Sequence, residues 1–492
     1  MSSLFGMLNI ASSAMRAQQV GIQVIEQNVT NASTPGYRRQ EAIFKNGLPY
    51  GDMRFKGSEA GGQLGTGVVV EEIKRFSQEF YDGRYRIESG AAKRWDTEAS
   101  VLKQAESTLN ETSTSGLTTK FDEFWSGWQI VNSDPSNMAL RADVRDRGQA
   151  LVKAFNSRSE QLSQMRSEQD LTIRVRVDEI NTIASKLAAL NTEIPRVQSL
   201  SNQPNDLMDE RDRLLDRLAE ITDIQSTTQT NGETIVSLGG HVLVVGTKTN
   251  NLSAVPNTAN SNLRDIQWDN GSTLIAQTGE LKGLFDARDV QLKGQQDGLD
   301  TLAQSLYDQV NYVHNHGFSM YDPGGIPTPP PPPLPPDATA YNFFKLNTPP
   351  GSVASRLALD DHITDTTNGL ANIAAAEGPG YAPGDGNNAK KLSDLQHLKI
   401  LGGGTTTMND YYTQQIAELG LIVHRAETSA ADHKDIMKSL NDTREQVGGV
   451  SLDEEATKLM QSQKAYNAAA RVLTAVDDML DRVINAMGRV GI

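Results

Sequence analysis

Apolar side chains recur at alternating four- and three-residue steps at both ends of the chain. Near the start they are Leu4, Leu8, Ala11, Met15, Ile22, Ile25 and Val29, with Gln18 holding one place in the register. Near the end they are Leu452, Ala456, Leu459, Tyr466, Ala470, Leu473, Leu480, Ile484 and Met487, with Gln463 and Asp477 in step. Such spacing is the heptad seam of a coiled coil, one narrow adhesive stripe along each helix. At about 1.5 Å of rise per residue the two helices would run on the order of 40 and 50 Å. The first is expected to stop before Thr34. Pro35 pushes the residue before it out of helical geometry, and Pro35 followed by Gly36 suits the two central positions of a type II turn.

The same period continues inside. Trp95, Leu102 and Leu109 mark one helix, and a capless stretch from about Arg141 to Ile194, ending at Pro195, marks a much longer one. Helical patterns well beyond about 25 residues point to coiled coils or bundles. Further helices are predicted over Leu207 to Ile221, Leu281 to Val313 and Ile416 to Val447. From about Ile224 to Ala276 the period changes. Ile235 and Ser237, a Gly239-Gly240 turn and Val242 to Val245 read as a strand pair, and Ile266, Trp268, Leu274 and Ile275 continue the strand character. Residues 329–336, proline except for Leu334, predict a stiff polyproline II rod, read as a spacer or surface loop in preference to a ligand for a proline-binding domain. The fold expected is mainly α with a smaller β part. Residues 1–45 with 448–492 would form a discontinuous coiled-coil assembly domain. Residues 46–222 with 280–318 and 405–447 would form a helical bundle carrying a glycine hairpin. Residues 223–279 would be β-rich, and 319–404 a variable Pro/Gly-rich outer segment.

Composition narrows the chemistry. Apolar residues make up 37% of the 492, which fits several small cores or long solvated helices better than one large core. A formal net charge of −15 without a basic stripe argues against nucleic acid as a partner. The absence of cysteine removes disulfides, thiolate metal sites and thiol nucleophiles together. The first basic side chain is Arg16, so the start does not read as a cleaved signal peptide, and no apolar run approaches the roughly 18 residues of a membrane span.

The catalytic candidates fail one by one. No histidine is followed by glutamate in a zincin pattern, and no Gly-x-Ser-x-Gly elbow occurs. Gly246-Thr247-Lys248-Thr249 resembles the end of a phosphate loop, but the glycine required five residues earlier is His241. Residues 61–67 (GGQLGTG) lead into Val68, Val69 and Val70, a strand and not a helix, so a glycine hairpin is the better reading. His314 and His316 could hold a metal, yet no third ligand is suggested nearby and a helix-end polar pair is preferred. The run Asp209, Glu210, Arg211, Asp212, Arg213 could supply catalytic carboxylates, but its mixed charge reads as a solvated helix face. No enzyme, cofactor or metal is expected.

Two motifs at opposite ends carry a family resemblance. Residues 28–37 (NVTNASTPGY), with Asn31, Pro35, Gly36 and Tyr37 at the turn, resemble the N-terminal signature of the rod, hook and hook-associated axial proteins of the bacterial flagellum. Residues 461–471 (QSQKAYNAAAR) with 477–480 (DDML) look like the matching C-terminal signature. Residues 37–41 (YRRQE), 64–68 (LGTGV) with Arg75, 203–215 (QPNDLMDERDRLL), 279–284 (GELKGL), 310–317 (VNYVHNHG) and 449–455 (GVSLDEE) are similar to the hook-associated member that joins hook to filament. Arg38 stands where that family usually has serine, and Ser462 where an aromatic residue is common.

The resemblance implies a subunit of a tubular assembly, with terminal helices lining the tube and other domains projecting outwards. It implies that these stripes are the assembly interface, the C-terminal one also binding an export chaperone. It further implies copies of itself, hook protein and hook-associated protein 3 as partners, and an extracellular place on the flagellum reached without a cleaved signal. A hook or distal-rod protein of the same family is the alternative reading. An adhesin or enzyme borne on a flagellar scaffold, with its activity in residues 320–404, is a third.

Overall fold

The computed structural model describes residues 2–47, 65–109, 116–200, 203–320, 341–378 and 381–487. The proline run at 329–336 and most of the glycine-rich segment at 61–67 lie outside these. The chain opens with helix α1 (Ser2–Thr30), an antiparallel pair of strands β1 (Gln40–Asn46) and β2 (Val68–Arg75), then helices α2 (Glu79–Leu109), α3 (Leu117–Ser133), α4 (Met138–Gln198) and α5 (Asn205–Ile221). Short strands follow: β3 (Ile224–Thr228), β4 (Thr234–Leu238), β5 (His241–Val245), β6 (Lys248–Thr249), β7 (Leu252–Pro256) and β8 (Arg264–Trp268). Helix α6 (Gly279–Phe285) passes through a π-helical segment (Asp286–Gln291) into α7 (Leu292–Asn315). Small elements β9 (Phe344–Leu346), α8 (Val353–Arg356), β10 (Leu357–Leu359), α9 (Asp361–Thr364) and α10 (Asn387–Asp394) precede the long α11 (Met408–Gly448) and α12 (Leu452–Met487). The chain is mainly helical with a minor sheet part, as its periodicity predicts.

Helix α4 is the spine, 61 residues long and so about 90 Å. It is not capless: the Asn137 side chain accepts from the Ala139 N–H at 3.0 Å. It also runs one turn past the expected stop, because Pro195 falls so near the end that its missing N–H breaks little of the ladder. The first half of α4 (Val144, Leu151, Phe155) shares a core with Phe121, Phe124, Trp125 and Trp128 of α3, Leu302 and Leu306 of α7, and Leu419 of α11. Its second half (Ile173, Val177, Ile180, Leu187) shares another with Leu214 and Leu218 of α5 and with Val236, Leu243, Ile266 and Trp268 of the strands. The β4–β5 hairpin turns at Gly239 and Gly240, both at positive φ, as a two-residue type I′ turn requires.

The described part of 319–404 contributes apolar side chains to the first core. Phe343 and Phe344 are fully buried, packed on Phe124, and Phe343 also meets Trp128 edge-on. His314 closes the same core: its Nδ1–H donates to the Tyr341 carbonyl at 2.6 Å and its Nε2 accepts from the Ala374 N–H at 3.0 Å. Both ring nitrogens are thus engaged, and His316 turns away to the Tyr312 carbonyl. Burial lowers the His314 pKa from 6.5 to about 4. The unfolded chain therefore takes up a proton near pH 6.5 that the folded chain refuses until about pH 4. Stability present above pH 6.5 is lost across that window, by about 3 kcal/mol. His314→Gln should flatten this part of the stability-versus-pH curve. Denaturant unfolding of both proteins at pH 7 and pH 4 checks it, and equal losses in the two would refute it.

Candidate functional site

The two chain ends pack on each other. Helix α1 lies along α12 and against the β1–β2 pair. From the predicted N-terminal stripe Ala11 and Ile25 are buried, and Leu4, Leu8, Met15 and Ile22 are half-buried. Val29 is 43% exposed and faces away. A second stripe, Ala17, Gly21, Val24 and Asn28, is buried as well, because α1 has neighbours on two sides. A methyl group on Gly21 would come within 3.3 Å of the Phe44 ring of β1, with Ser462 of α12 just beyond. That close approach accounts for a small residue at position 462. On α12, Leu459, Tyr466, Ala470, Leu473 and Leu480 face inwards, half-buried. Val476 is the most buried apolar residue there at 2% exposure, not Asp477, which is exposed. Leu452, 55% exposed, and Ala456 face outwards, as does Gln463. The side chains of Ile484 and Met487 lie outside the described residues.

At the base of this pair the chain builds a joint. Helix α1 ends at Thr30, and Tyr37 N–H closes a turn on the Thr34 carbonyl at 3.1 Å with Gly36 at φ +82°, the predicted type II geometry. The turn brings Tyr37 back, so that its hydroxyl donates to Asn28 Oδ1 at 2.8 Å. Asn28 Nδ2 donates to the Gln40 carbonyl and to Glu455 Oε2 at the start of α12. Arg39 Nε reaches the other oxygen of Glu455 at 2.9 Å, and the Arg39 N–H donates to the Gly448 carbonyl at 2.8 Å. Gly448 admits no side chain, since a Cβ would sit 2.6 Å from the Phe76 carbonyl.

Beneath lies a buried lattice of charge. Asp82 of α2 accepts from both Arg38 and Arg444 at 2.7 Å. Arg444 reaches on to Asp216, and Arg86 donates to the same carboxylate at 2.7 Å. Arg75 bridges Asp209 and Asp212 at 2.6 and 2.8 Å. All of α5's inward acidic positions are thus consumed. The run 209–213 is not a solvated face: Asp209, Arg211 and Asp212 are buried, and only Glu210 and Arg213 form an outer pair. Burial alone would raise the Asp212 carboxyl, but the guanidiniums of Arg211, Arg75 and Arg86 outweigh it and hold it below the ordinary aspartate range. Burial also pushes the Tyr37 hydroxyl up, helped by Asp209, Asp206 and Glu455, so it stays a donor.

The joint gathers residues from 28–41, Arg75, 203–215 and 449–455, separate stretches of sequence that converge on one spot. Asp82, Arg86, Asp216 and Arg444 complete it, and nothing in their local sequence marks them, because their partners are distant in sequence and lie on other elements. Among the described residues no group of three or more His, Asp or Glu side chains is arranged to hold a metal ion, and no helix is long and apolar enough to cross a membrane.

The architecture is thus a pair of terminal helices held at a charged joint to a two-core helical body. Residues 102–326 match the family described as flagellar hook-associated protein FlgK helical domain, and 448–486 match the flagellar basal body rod FlgEFG protein C-terminal family. The chain is 30% identical to flagellar hook-associated protein 1 of Bacillus subtilis, over 99% of both chains. It is 24% identical to the protein of that name from Escherichia coli, over 99% of this chain and all of the other. Its fold is similar to that of the flagellar hook junction protein FlgK from Burkholderia pseudomallei, with TM-score 0.61, 17% identity, and coverage of 75% of this chain and 100% of that one. The chain belongs to the flagellar hook-associated protein 1 family.

Proposed function

We propose that this chain is a structural subunit of the junction between flagellar hook and filament, and that its charged joint fixes the terminal helix pair to the body at one angle. The observation that carries this is the convergence at the joint. The N-terminal turn, through Arg38 and Arg39, binds α2, α5, the end of α11 and the start of α12 together. A subunit whose ends enter a tube wall must transmit bending and torsional load from that wall to its outer body. Ion pairs between five separate stretches do this with directional geometry that an apolar contact lacks.

In this reading the terminal pair enters the tube, and the outward side chains Leu452, Met460, Val472 and Met479 on α12 meet further copies of the chain. Phe5, Met7, Ile10 and Val29 on α1 do the same. Hook protein lies below and hook-associated protein 3 above. A chaperone covers α12 before export, which proceeds without a cleaved signal to an extracellular position. The role is mechanical, adapting a bending hook to a stiffer filament and supporting filament growth, and it uses no cofactor, nucleic acid or membrane.

Deletion of the gene tests it. Electron microscopy should find complete hooks without filaments, with filament protein shed into the medium and filaments restored by the intact gene. Normal filaments would overturn the reading, and missing hooks would move the chain to a hook or rod role.

A further inference from the structure

Helix α4 passes from one apolar core to the other, and the apolar contact stops in between. The first core ends on it at Met165 and the second begins at Ile173. The inward positions between are Arg166, Gln169 and Asp170, all buried. Opposite them the α6–α7 helix leaves α-geometry for the π-helical turn of Asp286–Gln291, a distortion that is kept in proteins mostly where a local role requires it. The wider turn sets Arg288, wholly buried, facing α4.

Arg288 Nη1 donates to Asp170 Oδ1 at 2.7 Å and its Nη2 to Asp289 Oδ2 at 2.7 Å. Its own carbonyl accepts from Arg166 Nε at 3.0 Å. Arg166 also holds Gln296 of α7 and Asn260 at the tip of the β7–β8 hairpin, and Asn260 donates to Asp289 at 2.8 Å. From the same hairpin Arg264 gives Asp170 its backbone N–H at 2.6 Å and an ion pair from its side chain. Three elements, the α4 spine, the π-turn and the hairpin tip, are tied by one polar belt that lies between the two apolar cores.

We propose that this belt is an angle lock between the two modules of the body: it holds the strand-bearing module at one orientation to the helical module, and the relative position of the modules depends on Arg288. A satisfied buried network specifies a single geometry, whereas an apolar interface tolerates sliding. Two continuous helices keep the modules attached whether or not the belt is intact, so the lock sets the angle and not the connection. This inference does not depend on the junction reading.

The chain has no cysteine, so pairs of introduced cysteines can be spin-labelled without interference. Labels at Lys153 and Lys248, both exposed, report the distance between the modules. Labels at Lys153 and Thr413 lie within the helical module and serve as the control. The intact protein should give a single narrow distance distribution across the belt. Arg288→Met should broaden or shift it at least twofold in width while the control pair stays unchanged. If that variant does not fold, Asp289→Asn, which removes a half-buried partner of the same arginine, should give a smaller broadening. A broad distribution in the intact protein, or an unchanged one in whichever variant folds, would overturn the lock.

Discussion

Replacing Asp82 by alanine is expected to lower the stability of the folded chain by about 3–5 kcal/mol, the range for removing one side of a buried ion pair. Asp82 is 5% exposed and accepts from Arg38 and Arg444 at once. Arg444 keeps Asp216 as a second carboxylate, but Arg38 keeps only the carbonyl of Arg444. Burial already holds Arg38 below the ordinary arginine range in spite of Asp82, so without that carboxylate the guanidinium is a desolvated charge with no directly paired carboxylate and only Asp216 in the neighbourhood. Arg38→Ala alone should be milder, because Asp82 retains Arg444. The double variant should lose less than the sum of the singles, by about 1–3 kcal/mol, as groups in direct contact do. Denaturant unfolding of the four proteins measures all of this. A loss below about 1 kcal/mol for Asp82→Ala, or strict additivity in the cycle, would mean that the joint is held by its neighbours and not by these charges.

The long helices were legible because each presents one apolar stripe over many turns, and a period repeated that often survives single exceptions such as Gln18. The joint was legible only as motif. The stretches 28–41, 203–215 and 449–455 drew attention by resemblance, but their physical roles could not be read. A charged residue looks solvent-exposed in a sequence until its partner is known, and the partners of Asp209 and Asp212 come from Arg75 and Arg38, over a hundred residues back. The same ignorance of partners hid Phe343 and Phe344. They sit at the start of a short strand near glycines and prolines, where composition suggests a loop, and they are buried because α3 offers them an aromatic wall. At Val476 the failure was one of phase. From Leu473 to Leu480 a heptad can step by four then three or by three then four, and both give an unbroken pattern. Packing against α1 selects the valine and leaves the charge of Asp477 in solvent.

That choice of phase yields the sharpest test of the terminal pair. Val476→Asp places a carboxylate at the most buried apolar position of α12, forfeiting about 1.5–3 kcal/mol of apolar burial and adding the cost of a buried, unpaired charge. The α1–α12 contact relies on few wholly buried side chains, so the loss is large against the whole interface. Amides of Ser2–Thr30 and Leu452–Met487 should lose their hydrogen-exchange protection in the variant, while those near Leu151 and Leu299, inside the first core, keep theirs. Cells carrying it should have hooks without filaments. Val472→Asp separates pairing from assembly. Val472 is 50% exposed on the outer side of the same helix, so this variant should keep the exchange protection of the pair and lose filaments only if that side meets neighbouring copies. Protection of both terminal helices unchanged in Val476→Asp would place the contact elsewhere on α12, and the seam drawn through Leu473, Val476 and Leu480 would have to be abandoned.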